Sequence, residues 1–343
     1  MSTVHILGAG ASAGYDRSST GMQCPSAKNF FTVAQGIIGS DLVNSHESFK
    51  NIVNFLEKYF NLSFSELEEA GMDMQDVLTF LDLEIDYSDS EVELDLLRRA
   101  RHEFMDLLTI TFNNVLQGPP CPYHAALAAG LEEGDAVISF NYDLLMDTAL
   151  FHNNPHWNPA TGYGFWAASR EKRQVAPSAL YLLKPHGSFN WVACSTCGSI
   201  YVLPPIQSGV PANWNSLRSL VPNHWDHQLD RLIIPPSLKK DVHGRVMQQV
   251  WMKAHQALKE AGRIVIIGYS LPATDFLVKR LLYRSVSMNS KLRQLEVVDR
   301  NNSKSSSPLI KKYKQLLYNS TKQVELVYDK RNLREYVACR PIH

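Results

Sequence analysis

The sequence predicts an α/β fold: a Rossmann-like parallel sheet with helices on both faces, a large helical insertion and a small loop-rich module. Three observations carry that expectation. Short, β-rich apolar runs at Thr3–Leu7, Ala136–Phe140, Tyr181–Leu183, Arg263–Ile267 and Leu295–Val298 have the composition of parallel strands buried on both faces. Helical periodicity separates them, the alternation that a parallel sheet requires. The stretch from 26 to about 131 is helical almost throughout, too long for a simple crossover between the first two strands.

The elements follow in chain order. Strand Thr3–Leu7 runs directly into Gly8-Ala9-Gly10-Ala11-Ser12-Ala13-Gly14, and a turn-rich stretch with Ser18, Ser19, Thr20, Gly21 and Pro25 comes next. In the helical block, Phe49, Ile52, Val53, Leu56 and Tyr59 repeat at helical spacing. Asp73 is placed to cap a helix carrying Val77, Leu78, Phe80, Leu81 and Ile85. Ser90 and Glu93 form a capping-box pattern ahead of Leu94, Leu97, Phe104, Leu108 and Phe112. Pro119-Pro120 stops that helix, and Pro122 suits the first turn of another ending near Gly130. Past Asp135 the strands begin. Those at 263 and 295 flank a helix from about Ala273 to Val286, a βαβ unit, and a last strand, Gln323–Val327, follows a helix around 309–317. The chain therefore reads as one domain over 1–343. Its Rossmann-like core comprises 1–30, 131–191 and 231–343. Residues 31–130 are the helical insertion, and 192–230, rich in Pro, Trp and Asn, are the small module.

Formal charge is zero, with 34 basic and 34 acidic side chains, so no excess positive field exists to hold a phosphate backbone. Nucleic acid is not an expected partner, and the basic run Lys311-Lys312-Tyr313-Lys314 reads as a solvated helix face. No secretory signal pattern opens the chain and no stretch has the apolar length of a membrane span. Five cysteines in 343 residues do not form a disulfide framework. A cytoplasmic protein without a membrane partner is expected.

Gly8, Gly10 and Ala13 fit G-x-G-x-x-A after a strand, a pattern that lets backbone N–H groups approach a pyrophosphate. A tight strand-to-helix turn is the alternative. An ordinary dehydrogenase needs an acidic residue about 20 positions on, at the end of a second strand. Asp16 is too near, Asp41 is too far, and the chain is helical where that strand belongs.

Ligands of open parallel sheets bind beyond the carboxyl ends of the strands. Polar residues stand there in every case: Ser12; Asn141-Tyr142-Asp143; Lys184-Pro185-His186-Gly187-Ser188; Gly268-Tyr269-Ser270 with Asp275 beyond; and Asp299-Arg300-Asn301. Singly each has a structural reading. Asn and Asp after strands form turns, Asp143 is placed to cap a helix from Leu144, and Ser270 and Asp275 are placed to start another. Together they converge on one rim.

The segments Gly8-Ala9-Gly10-Ala11-Ser12, Ser139-Phe140-Asn141-Tyr142-Asp143, Lys184-Pro185-His186-Gly187-Ser188 and Gly268-Tyr269-Ser270 resemble, in order and context, the motifs of the sirtuin superfamily. They are most similar to the divergent bacterial sirtuin-like proteins, many of which hydrolyse NAD in anti-phage defence. The resemblance implies that Ala9, Gly10 and Ser12 line the pyrophosphate and nicotinamide ribose. It implies that Asn141 orients the ribose or the attacking water, that Asp143 holds the nicotinamide amide, and that His186 is the base. Gly268 and Ser270 would contact phosphate or the adenosine ribose, with Asp299 and Arg300 near the adenosine. The chemistry suits these types: a histidine with a pKa near ~6.5 is a base close to neutrality, and an asparagine positions a nucleophile without a charge to desolvate.

The chain departs from the deacylating sirtuins in two places. Where they carry F-G-E for the acyl-lysine peptide, it reads Leu232-Ile233-Ile234-Pro235-Pro236-Ser237-Leu238, which favours water as the acceptor. Where they carry two C-x-x-C pairs on zinc, it has one, Cys194-Ser195-Thr196-Cys197. His224 and His227 would complete a Cys2His2 zinc site, at a spacing tighter than usual; a knuckle with free thiols is the alternative. The expected function is NAD+ hydrolysis, with NAD as substrate and control by homo-oligomerisation or a partner protein. The alternatives are an NAD-dependent deacylase and a non-catalytic NAD- or ADP-ribose-binding module.

Overall fold

The computed structural model describes residues 2–39, 49–168, 176–194, 198–205, 229–234, 244–272, 274–300, 308–318 and 323–339. Its centre is a six-stranded sheet of β1 (Thr3–Leu7), β2 (Ala136–Ser139), β3 (Tyr181–Leu183), β7 (Arg263–Ile267), β8 (Gln294–Val298) and β9 (Glu325–Asp329). The spatial order is β3-β2-β1-β7-β8-β9 and every pair is parallel. The chain winds from β1 to one side through β2 and β3, then crosses to β7 and winds to the other, so the order reverses between β1 and β7. This is the Rossmann-like α/β architecture that the strand composition predicts. Ile264, Val265, Ile266 and Ile267 are all buried. Each contributes about 1.5–3 kcal/mol of burial, and burial on both faces explains why apolar residues run on without alternating.

Between β1 and β2 lie α1 (Ala9–Ser12), a 3-10 turn (Ala27–Asn29), α2 (Phe30–Ile38), α3 (Lys50–Phe60), α4 (Met74–Tyr87), α5 (Glu91–Leu116) and α6 (Pro122–Ala129). Asp73 caps α4 in a reciprocal box. Its Oδ1 accepts from the N–H groups of Gln75 and Asp76 at 2.8 and 3.1 Å, and Asp76 accepts from the Asp73 N–H at 3.0 Å. At α5 the expected box is half formed. Ser90 Oγ accepts from the Glu93 N–H at 3.4 Å, but the Glu93 carboxylate turns to α3, where it takes the Lys58 ammonium and the Tyr59 hydroxyl. A charged partner within reach outweighs one neutral backbone donor.

These helices have their own core, in which Phe30 meets Phe31 and Phe104 at ring distances of 5.4 and 6.0 Å. The same cluster takes in Tyr142, Leu144, Leu145, Phe189 and Ile233, so the helical stretch packs directly on the turn after β2. Phe189 and Ile233 belong to a second, antiparallel sheet of β4 (Gly187–Cys194), β5 (Ile200–Val202) and β6 (Leu229–Ile233). β4 runs through position 192, where composition marks the start of the small module. Nearly all of β4 is buried, and its polar–apolar alternation covers only Ser188–Trp191, too short to announce a strand of this length.

The remaining helices are α7 (Leu145–Asn153), α8 (Gly244–Glu260), α9 (Phe276–Ser287), α10 (Pro308–Leu316) and α11 (Leu333–Ala338). β9 starts two residues later than the sequence suggests because pairing begins at Gln294 opposite Glu325. Among the described residues no helix is long and apolar enough to cross a membrane.

Candidate functional site

Strand register sets the level at which the site is built. Leu7 stands opposite Ser139 on one side and Ile267 on the other, so β1, β2 and β7 end together. The turns that follow are stitched by backbone bonds: Phe140 N–H to Leu7 O at 3.0 Å, Gly8 N–H to Ile267 O at 3.1 Å and Gly10 N–H to Gly268 O at 2.9 Å. Gly268 has φ +61°, and a Cβ there would lie 2.5 Å from Ala11 N and Gly10 C. A Cβ on Gly8 would lie 2.6 Å from Gly268 O. The glycines let two loops lie against each other with no room for a side chain. The sequence pattern suggested amides aimed at an anion, yet the N–H groups of Gly8, Gly10 and Ala11 go to carbonyls. Ala9 and Gly10 are exposed on the rim.

Below that rim is a polar knot. Asn141 Nδ2 donates to Gly8 O at 2.9 Å and to Ser12 Oγ at 2.8 Å. Ser12 Oγ donates onward to Asp143 Oδ2 at 2.6 Å. Gly8 O can only accept, so the Asn141 amide orientation is determined and its Oδ1 is the acceptor left over. Asp143 Oδ1 accepts from the Leu145 N–H at 3.1 Å. Asp143 thus supports the entry to α7 from one residue before its N-cap, Leu144, while its other oxygen faces Ser12. Asn141 is half-buried, while Ser12 and Asp143 are buried.

His186 adjoins this knot through two rings of the same turn: its centroid lies 5.3 Å from Phe140 and 6.4 Å from Tyr142. Gly187, at φ +80°, brings the backbone so close to β6 that a Cβ would sit 2.0 Å from Leu232 O. The imidazole Nε2 faces Asp275 Oδ1 at 3.6 Å, an ion-pair distance longer than a hydrogen bond. The other oxygen, Asp275 Oδ2, accepts from Tyr269 OH at 2.6 Å. Burial pushes the Asp275 carboxyl up, but the His186 contact and the Tyr269 hydroxyl outweigh it and leave the group below its ordinary value.

Sequence reasoning took Asp275 as the start of a helix. It is the N-cap of α9, accepting from Val278 N–H at 3.4 Å, and it also faces the candidate base. Lys184 stands in the predicted rim segment 184–188 without an assigned role. It is wholly buried, donating to Asp143 O at 2.7 Å and Asp147 Oδ2 at 2.9 Å. Tyr163 OH donates to Asp147 Oδ1 at 2.5 Å, and Asn190 Nδ2 donates to Tyr163 OH at 3.1 Å. A lysine directly after a buried strand was the available signal, since an ammonium there demands partners.

Ser270 is exposed at the rim. Its carbonyl and that of Leu271 accept from Lys312 Nζ at 3.1 and 3.0 Å, and Tyr313 OH donates to Tyr269 O at 2.6 Å. The run 311–314 is thus only half a solvated face. Lys311 and Lys314 are exposed, but helical period turns Lys312 and Tyr313 onto the loop after β7. Asp299 and Arg300 follow β8, one strand further. The Asp299 N–H donates to Asp329 O at 2.9 Å, and Arg300 pairs with Glu335 at 3.0 Å in solvent. Of the candidate zinc ligands, Cys194 ends β4 and is buried, and Cys197, His224 and His227 lie outside the described residues.

A cleft of about 560 Å³ lies at the other end of the sheet, lined by Ser2, Glu260, Lys291, Arg293 and Gln323. It holds none of the candidate residues, and its position at the amino ends of the strands is the wrong end for a ligand of this architecture. No family model matches the chain, and no curated protein matches it.

Proposed function

We propose that the chain cleaves the nicotinamide–ribose bond of NAD+ with water as acceptor, as a divergent sirtuin-like NAD hydrolase. One observation carries the reading: Asn141, Asp143 and Ser12 form a bonded knot beside His186 at the carboxyl end of β1, β2 and β3. A half-buried amide acceptor, a buried carboxylate and a buried imidazole are a sufficient set for the reaction.

In this reading the C1′–nitrogen bond breaks and its electron pair stays on the nicotinamide ring, which leaves as a neutral amide. The water oxygen bonds to C1′, and its proton passes to His186 and on to solvent. Asn141 Oδ1 orients the water or a ribose hydroxyl, because its Nδ2 is engaged by Gly8 O and Ser12 Oγ. Asp143 Oδ2 keeps a second lone pair beyond the Ser12 bond, suited to an amide N–H of nicotinamide. Ala9, Gly10, Gly268 and Ser270 would border the phosphates and adenosine ribose, with Asp299 and Arg300 beyond. An NAD-consuming enzyme needs control, so the reading includes activation by self-association or a partner. The helical stretch between β1 and β2, read as an insertion, and the module at 192–230 are the contact surfaces. A cytoplasmic NAD-depleting role in anti-phage defence follows from the sirtuin-like resemblance. Zinc on Cys194, Cys197, His224 and His227 would be structural; one equivalent of zinc per chain supports it, and zinc-free folded protein overturns it.

The test incubates the full chain with NAD+, with and without an acylated peptide, and follows nicotinamide. Release without peptide is expected, falling about 10²–10⁴-fold in His186→Ala and strongly in Asn141→Ala, with folding checked by circular dichroism. Unchanged turnover in both variants overturns the site. Release only with peptide makes the chain a deacylase, and binding without turnover in every assembly state makes it a binding module.

A further inference from the structure

We infer that Asp275 is a positioning residue for His186: it holds the Nε2 side of the imidazole and leaves Nδ1 as the nitrogen that receives the proton. The inference rests on the hydrolase reading and adds the orienting partner of its base. Asp275 and His186 are both buried and stand 3.6 Å apart. The carboxylate is itself immobilised from the opposite side by the Tyr269 hydroxyl at 2.6 Å. Tyr269 is in turn fixed at its carbonyl by Tyr313 OH, and its ring packs at a tilt 4.7 Å from that of Phe140. The chain Tyr269–Asp275–His186 therefore links the loop after β7 to the loop after β3. A group built only to cap α9 would need neither the tyrosine nor a facing imidazole, and its capping bond, at 3.4 Å, is far longer than the 2.6 Å bond from the Tyr269 hydroxyl.

The charge environment supports the assignment. The Asp275 carboxyl lies below its ordinary value despite burial, so it is anionic at neutral pH. The groups facing the imidazole are Tyr142 and Phe140 from the turn after β2, Trp251 from α8, and Asp275 from the loop after β7. Tyr142 donates its hydroxyl to Ile234 O at 3.1 Å and is pushed up by burial, so it remains neutral. Two charges of the neighbouring turns, Asp143 and Lys184, are bonded to Ser12 and Asp147. During hydrolysis the proton leaving water arrives at Nδ1 as the oxygen bonds to C1′. The imidazolium so formed is stabilised by the carboxylate at Nε2 until the proton passes to solvent.

Asp275→Asn separates this role from capping. Asparagine is an equally good N-cap, so folding and melting should be preserved while the negative charge is lost. The expected result is a kcat about 100-fold lower with KM nearly unchanged. Tyr269→Phe should show a smaller effect of the same kind. Independently of turnover, the ring-nitrogen resonances of labelled His186 should report the Nε2-protonated tautomer in wild type and a mixture of tautomers in Asp275→Asn. An unchanged tautomer and an unchanged kcat would overturn the inference while leaving the hydrolase standing. A wild type that never cleaves NAD+ would remove the hydrolase and the proton-relay role with it, even if the tautomer changes.

Discussion

Lys184 illustrates how one buried charge determines the shape of this site. Its ammonium is wholly buried, and it joins the carbonyl of Asp143 to the carboxylate of Asp147. Burial pushes the Asp147 carboxyl up, against the pull of Lys184 and the Tyr163 hydroxyl, so the pair holds only while both partners are present. Lys184→Met should cost about 3–5 kcal/mol by leaving a lone buried carboxylate. Adding Asp147→Leu should restore roughly half or more of that loss, since no charge is then isolated; urea unfolding reads both. His124 is a second buried titratable group, with Nδ1 3.1 Å from Cys121 Sγ. Burial lowers it from 6.5 to about 4, against a small opposing pull from Asp147. The folded value lies below the unfolded one, so its contribution to stability is complete above pH 6.5 and is lost as pH falls toward about 4. The loss is about 3 kcal/mol, and a pH series of unfolding curves should show that component vanish in His124→Gln.

The loop after β7 is held from outside by α10. Leu271 adopts φ +49°, costly for a branched side chain, and the Lys312 ammonium on the carbonyls of Ser270 and Leu271 helps hold it there. Burial and the nearby Lys279 charge push the Lys312 ammonium below its usual value. Lys312→Met and Tyr313→Phe should each speed amide hydrogen exchange across 268–275 while leaving β7 and β8 protected. Exchange unchanged in both variants would show the clamp to be idle. This element scale is also where sequence reading succeeded and failed. The strands at 3, 136, 181, 263 and 295 were legible because burial on both faces writes continuous apolar runs. The caps at Asp73 and Pro122 were legible because they are local. The antiparallel sheet was not, since β4 alternates over only four residues and β5 has only three. Nor were the roles of Asp275, Lys184 and Lys312. Each has a local reading that suffices, and only their partners at 186, 147 and 270 reveal the other.

Across the whole molecule, two cores meet at the turn after β2. The sheet core holds Phe140, the helical core holds Tyr142 and Phe189, and Phe112 of α5 reaches Phe189 at 5.1 Å. A binding event on the outer helices therefore has a packed path toward Asn141, the route that the proposed control by assembly would use. That coupling matters only if the dinucleotide sits where the loops converge, at the carboxyl ends of the strands. Hydrogen exchange of His186→Ala with saturating NAD+ tests this most directly, because slowed turnover keeps the ligand whole. Protection should rise together at 8–14, 139–146 and 268–276. Protection confined to the opposite cleft around Ser2, Lys291 and Arg293, or none at any segment, would contradict the account.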